Sequence, residues 1–437
     1  MREIRIGILG FGTVGAGVVE GLQKNGDLIA ARTGIRPVVA KIADLDIKSD
    51  RGLSLPEGVL TQDAVSVITD ESVDIIVELV GGTTVAKTFT EQALGLGKPV
   101  VTANKALLAD HGDTLYALAE EKDTGIYYEA AVGGGIPILR AQRDGLVGNE
   151  IEEIFGILNG TCNYILTRME AEGLDFDAVL ADAQALGYAE TPPDLDIDGI
   201  DTAHKAVILA SMAYGTPVPM SACPTSGIRG VAKIDIIHAA SLGYRIKLLA
   251  IIKRGGAGIE LSVEPALVPT SHMIGSVNDS FNAVFVKGDI VDDTMYYGRG
   301  AGRAPTGSAV IGDIMEAARD VLNDAGSPVG ITMLLQQHEL TYLSAEQVQK
   351  RAYVRLSLAD EPGAMGEVMK VLGAHRINVA SVIQQEQHPS GCVPVIILTE
   401  KAKEADFITA MKGIGELECC VDRPVRMRLE DFEDESS

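Results

Sequence analysis

Two lysines and a run of carboxylates are the residues best equipped for chemistry. Asp194-Leu195-Asp196-Ile197-Asp198-Gly199 opens like a calcium-binding loop, with acids at loop positions 1, 3 and 5 and glycine at 6. Loop position 12 requires a bidentate glutamate and is Lys205, whose cation repels calcium. Asp201 and Lys205 are instead spaced i and i+4, on one face of a predicted helix. One reading is a capped, salt-bridged helix start. The sharper reading is a site for an amino acid, in which Glu190 and Asp196 meet the ammonium and lysines meet the carboxylate and the reacting oxygen. Lys105, in Thr102-Ala103-Asn104-Lys105, falls at the C-terminal end of a predicted parallel strand, where open α/β sheets place their ligands.

A second constellation lies at the N-terminus. Gly10-Phe11-Gly12-Thr13-Val14-Gly15 follows an apolar run and opens a helix-like stretch. Gly10 permits a tight turn, Gly12 lets backbone N–H groups approach a pyrophosphate, and Gly15 lets helix and strand pack closely. The pattern predicts a dinucleotide site; a purely structural turn is the alternative. Asp44 ends the second predicted strand and suits the adenosine ribose hydroxyls. It lies further from the glycines than the ~20 residues usual for that acid, so Asp46, or a solvent-facing role, stays open. An acid here repels a 2′-phosphate, while Lys41, Lys48 and Arg51 could accommodate one. NAD is favoured over NADP, with dual use open.

The elements that must hold these groups follow from patterning. Apolar runs at Ile4 to Leu9, Pro37 to Ala43, Asp74 to Val80, Pro99 to Thr102 and Ile126 to Glu129 alternate with helix-like stretches. That alternation predicts an α/β fold: a Rossmann-type doubly wound parallel sheet over 1–135, completed by a helix at 306–325. Longer alternating strands at Arg245 to Lys253, Ile259 to Leu267 and Phe281 to Val286 predict a mixed-sheet α+β domain over 136–305 for substrate binding and dimerisation. A linker (326–350), a β-α-β-β-α-β module of ferredoxin-like order (351–430) and an acidic tail (431–437) complete the chain.

At 437 residues the chain is too long for one core, and its formal charge of -24 argues against nucleic acid or anionic lipid as partner. Five scattered cysteines form neither a metal-ligand spacing nor a disulfide framework, and they suit a reducing cytoplasm. Neither a signal peptide nor an apolar run of the ~20 residues a membrane helix needs is evident. Asn159-Gly160-Thr161 matches a glycosylation sequon, which carries no weight without secretion.

Taken together, the motifs resemble homoserine dehydrogenase over 1 to about 325. They are Gly10 to Gly15, Thr102 to Lys105, Tyr128 to Pro137, Asn159-Gly160-Thr161-Cys162-Asn163-Tyr164, and Gly187-Tyr188-Ala189-Glu190 through Asp201 to Lys205. Pro192 departs from the family, which usually has an acidic or small polar residue there, and Ala43 stands where an arginine is common, which weakens an NADP assignment. The resemblance implies that Lys105, Lys205 and Asp201 serve hydride transfer between homoserine and aspartate 4-semialdehyde. Lys205 is the first choice for acid/base, with Lys105 positioning the substrate; the reverse assignment stays open. A lysine needs burial or a neighbouring cation to lower its pKa of ~10.4 for that role. Glu190, Asp196, Gly160, Thr161 and Tyr188 are implied at the substrate, and Thr102, Asn104 and Gly302 at the cofactor. Glu129, with carbonyls of Val132, Gly134 and Ile136, resembles the family's site for sodium or potassium; a glycine-rich hinge is the alternative.

The last module resembles an ACT domain through Asp360-Glu361-Pro362-Gly363-Ala364-Met365 and Asn378-Val379-Ala380-Ser381. Threonine is the implied effector, at Asp360, Gly363, Ala364, Met365 and Asn378; a structural dimerisation module is the alternative. A homodimer or homotetramer is expected. Two other functions compete: a non-catalytic amino acid sensor, and a dehydrogenase of another amino acid or semialdehyde.

Overall fold

The computed structural model describes residues 2–189, 191–323, 340–384 and 392–432. Glu190, most of the expected linker and the end of the expected tail lie outside them. Contacts group the chain into two discontinuous units: Met1–Gly160, Asp201–Cys223 and Phe281–Leu340 in the first, and Thr161–Ile200, Pro224–Ser280 and Thr341–Ser437 in the second. This grouping differs from the consecutive division expected from sequence, because strands remote along the chain pair with one another.

In the first unit, β1 (Arg2–Leu9), β2 (Ile35–Ala43), β3 (Leu60–Thr61), β4 (Ile75–Glu78), β5 (Val100–Thr102) and β6 (Ile126–Tyr127) form a parallel sheet ordered β3-β2-β1-β4-β5-β6. The apolar runs are continuous because both faces are covered. Helix α1 (Thr13–Thr33) follows β1, and its C-terminal turns are largely exposed and carry no apolar period. The first unit also holds helices α2 (Lys105–Glu121), α3 (Ile200–Tyr214) and α4 (Arg303–Asn323). Helix α4 packs on α1 so closely that a Cβ on Gly17 would strike the Arg303 carbonyl, and Val18, Val310 and Ile314 join Ile6, Ile8 and Val77 in one core. Strands Ile151–Ile157, Phe281–Gly288 and Asp292–Arg299 form an antiparallel set, the last of them too exposed to show an apolar pattern.

In the second unit the strands are β7 (Tyr244–Gly255), β8 (Gly258–Pro269), β9 (Gln349–Ala359), β10 (Val379–Gln384), β11 (Cys392–Thr399) and β12 (Val425–Leu429). They are ordered β7-β8-β12-β9-β11-β10. Helices Ala364–Ala374 and Glu404–Gly415 bury Val368, Leu372, Phe407 and Ile414 against β9 and β11. The C-terminal strands join the β7–β8 hairpin through a short parallel pairing, Arg428↔Ala266 and Leu429↔Leu267. A charge lattice surrounds that seam. Lys350 meets both oxygens of Glu264 at 2.9 Å and Glu404 at 3.1 Å; Arg428 pairs with Glu430 at 2.7 Å and with Glu260; Lys253 reaches Glu430 at 2.9 Å. Arg426 forks onto Glu404 through two bonds of 2.6 Å. Four bases thus face four acids.

Among the described residues no helix is long and apolar enough to cross a membrane, and no disulfide joins the five cysteines.

Removing one member of a buried charge lattice strands its partners without compensation. Arg428→Ala should therefore lower stability to urea by about 3–5 kcal/mol. Lys370→Ala, which breaks only an exposed pair with Glu367, should change it by less than about 0.5 kcal/mol.

Candidate active site

The carboxyl edge of the parallel sheet gathers the nucleotide motif. Gly10 has φ +96° and no room for a side chain, since a Cβ would lie 2.5 Å from the Leu79 carbonyl oxygen. Gly15 would likewise drive a Cβ into the Gly10 carbonyl, whereas Gly12 faces open space. Helix α1 starts at Thr13 with no side-chain cap, which leaves the first N–H groups and the positive end of the helix dipole facing outward, beside Gly12. Asp44 ends the adjacent β2 and accepts the Phe11 N–H at 2.5 Å and the Asp46 N–H at 2.8 Å. Asp46 turns back on its own loop, accepting N–H groups of Lys48 and Ser49.

Arg51, of the three bases expected here, closes over the turn. It donates to the carbonyls of Phe11 (2.5 Å), Ser49 (2.7 Å) and Asp46 (2.8 Å), lies 3.6 Å from Asp44 and stacks over the Phe11 ring. A cavity of about 540 Å³ opens here, lined by Gly10, Gly12, Asp44, Val65, Val80 and Phe89 among others. An apolar cleft, a bare helix N-terminus and an acid at the end of β2 fit a dinucleotide.

The lysines meet further along the same edge. Asn104 caps α2 by accepting the Leu107 N–H at 3.1 Å, donates to the Gly82 carbonyl at 2.7 Å, and gives its own N–H to Thr102 Oγ1 at 3.0 Å. These bonds fix the start of α2, and hence Lys105. Helix α3 brings Asp201 and Lys205 one turn apart. Asp201 Oδ2 lies 2.7 Å from Lys205 Nζ, and its Oδ1 lies 3.1 Å from Lys105 Nζ. Asn159 Nδ2 donates to Asp201 at 2.9 Å, and Lys205 donates to the Leu158 carbonyl at 2.7 Å. Lys205 is 8% exposed, so two of its three donors are fixed away from water. Burial opposes the charge on Asp201, but Lys205, Lys105 and Asn159 outweigh it and hold the carboxyl well below the usual range. One carboxylate between two ammonium groups leaves a net positive pocket, suited to a carboxylate or to a developing alkoxide.

The second unit holds other expected residues. Thr161 Oγ1 donates to the Tyr188 carbonyl at 2.6 Å, and the Tyr188 ring stacks on Tyr164 with centroids 4.6 Å apart. Cys162 Sγ bonds the Asp196 carbonyl at 3.2 Å. The acids flanking Asp196, Asp194 and Asp198, both pair with Arg229, so one guanidinium offsets part of the charge of the acidic string. Among the described residues no cluster of acids, His or Cys could hold a metal. Lys247 was not singled out from sequence because it reads as strand interior. It is 1% exposed, donates to Asn163 Oδ1 at 3.1 Å and the Val277 carbonyl at 2.5 Å, and is pushed down to about 8 by burial.

At the expected cation site the Glu129 carboxylate is engaged by backbone, accepting N–H groups of Leu139 (2.9 Å) and Arg140 (2.7 Å). The Ile136 carbonyl accepts the Ile138 N–H at 2.8 Å. Gly134 presses against the Gly300 carbonyl, and Asn282, 1% exposed, packs on Gly300 with its Oδ1 lacking a hydrogen-bond partner among the described residues. By donor chemistry alone, a carboxylate, carbonyls and an amide oxygen are of the hard-oxygen type that a small monovalent cation takes. Gly302 has φ +117° and starts α4, its carbonyl accepting the Thr306 N–H at 3.0 Å. In the C-terminal module Gly363, φ +98°, precedes helix Ala364–Ala374 without a side-chain cap; Ala364 is buried, Met365 half-buried and Asn378 exposed.

Two family models match the chain: "Homoserine dehydrogenase, NAD binding domain" over residues 10–129 and "Homoserine dehydrogenase" over 137–315. A homoserine dehydrogenase of Neisseria gonorrhoeae is 40% identical over 437 residues, covering 99% of this chain and 100% of that protein. Among solved structures, a homoserine dehydrogenase from Thiobacillus denitrificans aligns with a TM-score of 0.92 at 39% identity, covering 99% of both chains. A hyperthermophilic archaeal homoserine dehydrogenase in complex with NADPH aligns with a TM-score of 0.63 at 29% identity, covering 73% of this chain and 98% of that one.

The depressed Asp201 carboxyl has a consequence for stability. It contributes fully above the unfolded value of about 3.9 and is lost as pH falls through the lower folded value. Asp201→Asn should cost about 2–4 kcal/mol at pH 7, less than a fully buried pair because Lys105 is a third exposed. Urea unfolding at stepped pH should show the gap between variant and parent narrowing below pH about 4.

Proposed function

The chain belongs to the homoserine dehydrogenase family of NAD(P)-binding oxidoreductases, and from that premise we propose that its Lys105–Asp201–Lys205 cluster carries the interconversion of L-homoserine and L-aspartate 4-semialdehyde. The observation behind this reading is the single carboxylate shared by two lysines, one shielded and one open. In the oxidative direction Lys205, as neutral amine, takes the hydroxyl proton; in reverse its ammonium returns it. When bound, NAD(P) supplies the chemistry of accepting the hydride that leaves the same carbon.

Asp201 holds Lys205 against the Leu158 carbonyl and keeps the lysines from repelling each other. Lys105 stands at the positive end of α2 and orients the substrate's anionic or polarised oxygen. Glu190 and Asp196 take the substrate ammonium, with Gly160, Thr161 and Tyr188 bordering it. Gly10 to Gly15 carry the pyrophosphate, Asp44 the adenosine ribose, and Thr102, Asn104 and Gly302 the nicotinamide end. The tie of Asp44 to the Phe11 N–H and Arg51 favours NAD while leaving a base near any 2′-phosphate. Sodium or potassium sits among Glu129, Val132, Gly134 and Ile136.

The C-terminal module is read as an ACT domain of ferredoxin-like order, with threonine bound at the Gly363 turn near Asp360, Ala364, Met365 and Asn378. Five scattered cysteines without a disulfide framework suit a reducing cytoplasm, and a homodimer or homotetramer is the expected state.

Homoserine-dependent reduction of NAD and NADP, followed by absorbance, tests the enzyme reading. Lys205→Ala should lower kcat by about 10²–10⁴-fold; unchanged turnover would overturn its role. Threonine titrated calorimetrically into the full chain should release a heat that Gly363→Val abolishes, and no heat in the parent removes the effector assignment.

A further inference from the structure

Glu78, the last residue of β4, takes no part in the chemistry described above. It is 0% exposed and lies between Leu9 of β1 and Thr102 of β5 in the sheet register. Its Oε2 accepts the Thr102 hydroxyl at 2.8 Å, and its Oε1 accepts the Val80 N–H at 2.7 Å. The Gly81 N–H and the Asn104 side chain also favour its charged form. No base pairs with it among the described residues, and burial pushes the carboxyl above the usual range. A carboxyl buried with donors but no cation is an expensive way to fill a strand end, and an apolar side chain would pack there at lower cost.

Its partners are the two turns that leave the sheet beside the nucleotide site. Val80 and Gly81 belong to the turn after β4, whose Leu79 carbonyl presses on Gly10 of the glycine turn. Thr102 and Asn104 belong to the turn after β5. Thr102 Oγ1 accepts the Asn104 N–H at 3.0 Å, Asn104 bonds the Gly82 carbonyl at 2.7 Å, and Asn104 caps the helix that begins with Lys105. The glycine turn and the lysine are therefore joined through this carboxyl group and, alongside it, through the direct Asn104–Gly82 bond.

We propose that Glu78 is a positioning residue for hydride transfer, setting the Lys105 helix start in register with the nucleotide turn. This rests on the reading of Lys105 as a working residue. A lysine displaced by a fraction of an ångström binds substrate but orients it poorly, so the loss falls on kcat more than on KM.

The test compares Glu78→Gln, Thr102→Val and Thr102→Ser in the full enzyme. Glu78→Gln and Thr102→Val should each lower kcat about tenfold or more with KM for homoserine within about twofold, and Thr102→Ser, which keeps the hydroxyl, should restore it. In a Lys105→Ala background neither substitution should cost more. Retained kcat in Thr102→Val, or losses that multiply with Lys105→Ala, would overturn the proposal; should Glu78→Gln fail to fold, the Thr102 pair carries the test. A Lys105→Ala enzyme with full kcat would instead remove the role given to Lys105, and this proposal with it.

Discussion

Everything at the lysine site depends on the carboxylate of Asp201. Two ammonium groups drawn to one point repel, and a buried one loses its hydration as well. The fold answers with one shared anion, whose oxygens face Lys205 at 2.7 Å and Lys105 at 3.1 Å. Helix geometry places Asp201 under Lys205, and the capped start of α2 carries Lys105 to its other oxygen. Asn159 and the Leu158 carbonyl then fix the remaining directions. One carboxylate thus keeps both lysines in place, the arrangement that the proposed acid/base role requires.

Buried charge is handled in two different ways elsewhere. The seam of the second unit closes its charges upon one another, with Arg428, Lys350, Lys253 and Arg426 facing Glu260, Glu264, Glu404 and Glu430. Such a lattice specifies which strands meet, since any other pairing would strand a charge. Glu78 is treated otherwise, met only by neutral donors from two turns. The first arrangement links strands to one another; the second ties two turns at the end of the sheet to a common point.

How much of this was legible in the sequence follows from the range of each interaction. Gly10 to Gly15, the strand runs and the Asp201/Lys205 spacing were readable because each is a local period or a short motif. The bridge from Asp201 to Lys105 was not, since its partners lie on different helices and no periodicity encodes their meeting. Glu78 read as the end of a strand, because a lone acid in an apolar run carries no sign of its donors. Lys205 alone set aside a calcium loop at Asp194 to Gly199, but the partner of Asp194 and Asp198 was not readable, since Arg229 is remote in sequence. The domain division differed for the same reason, as the parallel pairing of β12 with β8 rests on two register positions.

That short pairing has a structural consequence within the second unit. Strand β12 is bonded to β8 on one side and to β9 on the other, so the C-terminal strands and the β7–β8 hairpin share one hydrogen-bonded surface. On β7, Lys247 reaches Asn163 in the first turn of helix Gly160–Glu172, beside Thr161 and its bond to Tyr188. The Lys247–Asn163 link is buried and charge-assisted, whereas the Thr161–Tyr188 bond is an exposed, neutral one. The strands β9, β12 and β8 are thus neighbours in one ladder, and Lys247 ties the start of helix Gly160–Glu172 to the hairpin strand beside them.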